Sequence, residues 1–299
     1  MPGVEITRPP RLGTLYRRAA TGMLLPRRRA GGDSLPDTEL VLRGVRADPV
    51  RLAGYARVCG FPLTDTLPAT YPHVLAFPLA LSLMTAPGFP FPAAGVVHLA
   101  NRIEQHRPLG AGEALDLAVR AEHLRPHPRG RQVDVVAVAT VDGTPVWRDV
   151  STYLHRDRPR GGGAQPAEAG PRRERPPGAG PPAPVAVWRV GADVGRAYAA
   201  VSGDRNPIHT STLVARMFGF RRKIAHGMWT KARCLAHLAP RLAGAYVVAV
   251  TFQAPVLLPS TVHFSALAEE AGWRFGLHDA RSGLPHLSGT VTASGTVTA

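Results

Sequence analysis

Between Tyr198 and Trp229 the chain reads YAAVSGDRNPIHTSTLVARMFGFRRKIAHGMW. Asp204 and His209 stand five residues apart in it, and a carboxylate and an imidazole held near one another are the residue types of a general acid/base pair sharing a water. The intervening letters hold them still. Gly203 suits the end of a helical segment, GADVGRAYAAVSG, and Asn206-Pro207 reads as an N-cap followed by proline at the first helical position. PIHTSTLVARMF is then expected as one helix ending before Gly219, with His209 in its first turn and Asp204 in the connection before it. Downstream, IAHGM opens a run whose apolar positions, Met228, Ala232, Leu235, Ala236 and Ala239, mark one face of a buried helix. At its start, Gly227 offers a backbone N–H at the positive end of the helix dipole, where a carbonyl oxygen gaining negative charge would be stabilised.

Each of these signals alone is common: an acid before Asn-Pro is ordinary turn chemistry, and a histidine in a first turn is often merely solvated. The complete string is specific. Tyr198, Ser202, Gly203, Asp204, Asn206, Pro207, Ile208, His209, Ala215, Gly219, Phe220, His226 and Gly227 match the hydratase signature, and the segment resembles the MaoC-like dehydratases, the (R)-specific enoyl-thioester hydratases of the hot-dog fold. The resemblance implies hydration of trans-2-enoyl thioesters, or dehydration of (R)-3-hydroxyacyl thioesters, on CoA or acyl carrier protein. It implies catalysis by Asp204 and His209, and a substrate carbonyl on Gly227. Asn206 would orient the turn and bond to the pair, and Ser202 would either contact substrate or only cap a helix. No cofactor and no metal are required beyond the CoA or phosphopantetheine of the substrate.

The elements that must position these groups occur twice. RLAGYARVCG (51–60) parallels VGRAYAAVSG (194–203), HVLAFPLALSLM parallels HGMWTKARCLAH, and ANRIEQHRPLGAGEALDLAVRAE parallels VTFQAPVLLPSTVHFSALAEE. A strand, a short helix capped by Asp48, an apolar helix kinked or started at Pro78, and four antiparallel strands make an α+β layout. A double hot-dog follows, two antiparallel sheets each wrapping a central apolar helix. The first copy reads FPLTDTLP after Gly60, without counterparts of Asp204, Asn-Pro or His209, and has Val74 opposite Gly227. It is expected to be catalytically silent. The expected organisation is a basic arm (1–36), a silent hot-dog domain (37–155), a disordered linker rich in Gly, Pro and Arg (156–184) and a catalytic hot-dog domain (185–299).

Composition bounds the alternatives. The formal charge is +15, but residues 1–32 carry seven arginines against Glu5, and 156–184 carry six against three acids. The excess thus sits largely in segments without a core, with no aromatic residues interleaved, so no nucleic-acid partner is expected. No apolar run approaches a membrane span and no secretory signal is legible, so a cytoplasmic protein is expected, with Cys59 and Cys234 reduced. Arg221-Arg222-Lys223 faces either CoA phosphates, the acidic face of a carrier protein, or only solvent. A monomer or a homodimer of double hot-dogs fits the repeat. Two rival functions remain, a hot-dog acyl thioesterase and a non-catalytic acyl-binding subunit. The first would place an acid on the central helix, which holds none, and the second would be expected to have lost the motif.

Overall fold

The computed structural model describes residues 3–24, 34–93, 95–156 and 183–293. The expected linker, apart from its ends, lies outside the described residues. The chain forms two compact units, Met1–Leu52 with Thr64–Arg158, and Ala53–Leu63 with Pro159–Ala299.

In the first unit, β1 (Gly3–Glu5) runs parallel to β2 (Glu39–Val45), and α1 (Leu12–Leu24) buries Leu15. The expected basic arm is therefore partly built into secondary structure. Next comes α2 (Pro49–Cys59), capped by Asp48 Oδ1, which accepts from Arg51 N at 2.7 Å. The apolar α3 (Tyr71–Met84) starts at Tyr71-Pro72 and carries Pro78 inside it, so Pro78 is neither its start nor its end. Proline at the first helical position costs no hydrogen bond, which is why Pro72 and not Pro78 sets the beginning. Four strands follow, β3 (Val97–Gln105), β4 (Leu115–His127), β5 (Gly130–Val141) and β6 (Thr144–Arg156). Apart from β1, every pairing is antiparallel, in the order β1-β2-β4-β5-β6-β3, and α3 packs on β2, β4 and β5.

The second unit repeats that plan: β7 (Ala186–Val190), α4 (Val194–Ser202), a 3₁₀ turn (Pro207–His209), α5 (Thr212–Met217) and α6 (Gly227–Leu238). Then come β8 (Tyr246–Phe252), β9 (Ser260–Glu269), β10 (Gly272–Asp279) and β11 (Pro285–Ala293). Its strand order, β7-β9-β10-β11-β8, is the first unit's β2-β4-β5-β6-β3 over again, and all its pairings are antiparallel. The architecture is a double hot-dog of the α+β class, as expected from the repeat. Helix α6 is buried on more than one face: besides Met228, Ala232, Leu235 and Ala236, the structure buries Trp229, Thr230, Lys231, Cys234 and Leu238. Lys231 is fully enclosed and its Nζ donates to Val248 O of β8 at 3.2 Å, which supplies the partner a buried ammonium needs. The second half of α2 belongs to this unit, where Tyr55 lies 6.0 Å from Tyr198 of α4 and Val58 O accepts from Trp229 Nε1 at 3.0 Å. Among the described residues, no helix is long and apolar enough to cross a membrane.

Candidate active site

The turn that carries Asp204 and His209 begins where α4 ends. Gly203 takes φ +82°, a left-handed conformation that ends the helix, and its N–H bonds to Ala199 O. The side chains around it lock the turn. Ser202 Oγ accepts from Asp204 N at 3.1 Å, and Asp204 Oδ1 accepts from Asn206 N at 3.1 Å. Asn206 Oδ1 in turn caps the 3₁₀ turn by accepting from Ile208 N at 3.4 Å. Ser202 and Asn206 thus act, in this geometry, on the shape of the loop that presents Asp204 and His209.

The single helix expected over PIHTSTLVARMF is broken into two pieces. Ser211 is extended (φ −125°, ψ 122°) and its Oγ accepts from Val214 N, so it caps a new helix, α5, and confines His209 to a 3₁₀ turn. Gly219 (φ +83°) ends α5 as the sequence suggested, with Phe220 N bonding to Ala215 O and Gly219 N to Arg216 O. The break lets His209 turn inward. Its ring is buried, and Nδ1 donates to Ile224 O at 2.9 Å. That bond fixes the neutral tautomer with the lone pair on Nε2. Burial lowers the imidazole's pKa, and the neighbouring Asp204 carboxylate and Ile224 carbonyl pull it partly back.

Position 195 makes room for this turn. A Cβ on Gly195, in α4, would come within 2.0 Å of His209 O. Reasoning from sequence missed this glycine, although a glycine inside the helical pattern GADVGRAYAAVSG is the sort of interruption that signals close backbone approach.

His226 is the other group whose function the motif did not specify. It precedes α6 with extended backbone (φ −67°, ψ 138°), is 2% exposed, and stacks on His209 with ring centroids 3.6 Å apart. Its Nε2 donates to Asp204 O at 2.9 Å and lies 3.8 Å from the Asp204 carboxylate; Nδ1 has no hydrogen-bond partner. Burial first, and then the His209 ring beside it, push its pKa down to about 3, so it stays neutral. The next residue, Gly227, opens α6, where backbone N–H groups lack intrahelical acceptors. A Cβ there would meet the Phe252 ring at 3.1–3.2 Å.

The structure therefore gathers Asp204, His209 and His226, each with one polar atom within 4.8 Å of the others, beside the start of the central helix. Among the described residues this is the group of acids and imidazoles that could also ligate an ion, but one nitrogen of each imidazole is already spent on a main-chain carbonyl. What remains is a partly exposed carboxylate facing a buried imidazole with its Nε2 lone pair free of that bond. It suits proton transfer to and from one water.

The chain is similar to known proteins along most of its length. The family model for the MaoC like domain matches residues 169–287. The 3-hydroxyacyl-thioester dehydratase X of Mycobacterium tuberculosis is 40% identical over 287 residues, covering 96% of this chain and 99% of that protein. The crystal structure of HtdX from M. tuberculosis superposes with a TM-score of 0.75 at 38% identity, covering 86% of this chain and all of that one. A MaoC-like dehydratase from Phytophthora capsici, 18% identical, shares the fold with a TM-score of 0.70, over 89% of this chain and 98% of its own. By its sequence and its fold, this chain belongs to the MaoC-like dehydratases.

Proposed function

We propose that the second unit hydrates trans-2-enoyl thioesters and, in the reverse direction, dehydrates (R)-3-hydroxyacyl thioesters. One observation carries this reading: His209, its Nδ1–H committed to Ile224 O, keeps a basic Nε2 beside the Asp204 carboxylate at the mouth of α6. In hydration, Nε2 takes a proton from water as the water oxygen bonds to the β-carbon. The double-bond electrons move toward the thioester, and the oxygen charge of the resulting enolate falls on the Gly227 N–H. The imidazolium then returns that proton to the α-carbon on the same face and the thioester is restored. Asp204 orients the water and stabilises the transient imidazolium, the role its charge already plays in raising the His209 pKa. Every proton that leaves water ends on the product, so no step calls for a metal or a redox cofactor. The substrate is carried on CoA or on the phosphopantetheine of a carrier protein, in a cytoplasmic setting.

The test is spectrophotometric. Loss of the enoyl-thioester absorbance should occur without thiol release, and should fall by about 10²–10⁴ in Asp204→Asn and His209→Ala, the range for removing a positioned acid or base. Resistance of the product to an (S)-specific hydroxyacyl dehydrogenase establishes the (R) configuration. Thiol release with the double bond retained would overturn the assignment in favour of a thioesterase.

A further inference from the structure

The chain leaves the catalytic imidazole and comes back to it. Two residues after His209, Ser211 caps α5; the segment ends at Ile224, whose carbonyl holds His209 Nδ1. The return is pinned to the unit, with Ile224 bridging Leu257, Ala225 N bonding to Val256 O at 2.9 Å, and Leu258 N to Lys223 O at 2.9 Å. Residues 211–223 thus form a segment anchored at both ends on the site.

Its surface combines two chemistries. Leu213 and Met217, one turn apart on α5, are 71% and 77% exposed among the described residues. Beside them Arg216, Arg221 and Arg222 are exposed, and with Leu257 they line an open cavity of about 400 Å³. Arg216 Nε donates to Arg221 O at 3.4 Å and Arg222 Nη1 to Pro259 O at 3.2 Å; among the described residues none of the three arginines forms an ion pair. Nor is there an acid nearby in the chain: between Asp204 and Glu269 the sequence has eight lysines and arginines and no carboxylate. Among the described residues no carboxylate pairs with this cationic face.

We propose that α5 and the arginine loop are the docking face for an acidic protein that presents the acyl thioester on a phosphopantetheine arm. This rests on the hydratase reading above and narrows its substrate to one carrier. Guanidinium groups in a single-sign patch steer an acidic partner and fix its orientation. A flexible methionine and a leucine projecting at i and i+4 form an exposed apolar patch suited to the apolar residues of a protein surface. A nucleotide would use the arginines but leave both apolar side chains in water, which is why the carrier protein, and not CoA, accounts for the whole face.

The experiment compares one acyl chain on three carriers, acyl carrier protein, CoA and free pantetheine. Wild type is run beside Arg216→Glu/Arg221→Glu/Arg222→Glu and Leu213→Ser/Met217→Ser. The expected result is a KM for the carrier-protein thioester raised about tenfold or more in both variants, with kcat unchanged and the wild-type KM rising with salt. Turnover of the pantetheine and CoA thioesters stays within about twofold of wild type, which also shows that the variants are folded. A rise in KM confined to the CoA thioester of the arginine variant would overturn the proposal and make the cavity a nucleotide phosphate site. Unchanged kinetics on all three carriers would overturn it outright. If wild type turns over none of the three, the hydratase reading is what has failed, and calorimetric titration of the holo carrier protein into wild type and variants decides the docking face: binding lost in the variants supports it, and binding absent or unaltered rejects it.

Discussion

Each unit places a histidine at the start of its central helix, His73 in the first turn of α3 and His226 just before α6, and uses it differently. In the first, His73 Nδ1 lies 2.6 Å from Asp149 Oδ2, on β6. The other Asp149 oxygen accepts from Asn101 Nδ2 at 2.5 Å and from Ser151 Oγ at 3.1 Å, and Asp149 is 1% exposed. The histidine is tied to the sheet by a closed polar network. In the second unit, His226 faces no sheet carboxylate; its bond goes to the main chain of Asp204, and its ring supports His209. The reason is the length of the connection. Eleven residues (60–70) join α2 to α3, whereas twenty-four (203–226) join α4 to α6, and the additional chain holds the 3₁₀ turn, α5 and the arginine loop. Strand order is the same in both units, so the fold is kept while the longer connection of the second unit carries the proposed acid/base pair.

The comparison breaks most visibly at Gly195. A methyl group there must displace His209 O, a backbone atom, and with it the turn that aims the imidazole. Gly195→Ala should lower kcat about 10²-fold or more, since misplacement by about 1 Å costs that much. Steady-state kinetics of a variant whose circular dichroism matches wild type would check it; full activity would show that the turn tolerates the shift.

A substitution in the first unit should do the reverse. Asp149→Ala leaves Asn101, Ser151 and His73 without their shared acceptor, and each buried donor left without its acceptor costs about 1–3 kcal/mol. Chemical denaturation should show that loss, while kcat measured well below the unfolding transition stays near wild type. A fall in kcat without loss of stability would place Asp149 in catalysis and end the description of the first unit as silent.

How much of this the letters revealed follows the same division. Local chemistry was legible: Asp48 and Asn206 as caps, Gly203 and Gly219 as helix ends, and the internal repeat that implied one fold twice over. The break at Ser211 was not, because Ser-Thr inside an apolar-periodic run reads equally as helix interior and as a new N-cap until packing selects one. Gly195 and the Lys231–Val248 bond depend on elements far apart in sequence approaching one another, and a helical pattern alone does not say which face meets which strand. The His73–Asp149–Asn101 network was missed for the same reason: its members lie 76 and 48 residues apart, on three elements, with no spacing to link them.

The smallest expected effect is a pH dependence. His226 is held neutral in the folded state down to about pH 3, whereas in the unfolded chain it takes up a proton near pH 6.5. The folded pKa lies below the unfolded one. Its burial as the neutral ring is therefore without protonation cost above pH 6.5, and stability is lost progressively as the pH falls from there toward about 3. His209, lowered in the same direction by burial, adds to that slope. His226→Phe keeps a ring against His209 and Tyr198 but cannot be protonated, and it also loses the bond to Asp204 O. Urea midpoints measured from pH 7.5 to 4 should fall less steeply in the variant than in wild type, whatever their absolute level, and kcat should drop about tenfold as the Asp204 turn loosens. Parallel pH curves would mean that His226 shares its proton with solvent and is not sealed in, and an unaltered kcat would reduce it to packing, which would make the two helix-start histidines alike in role after all.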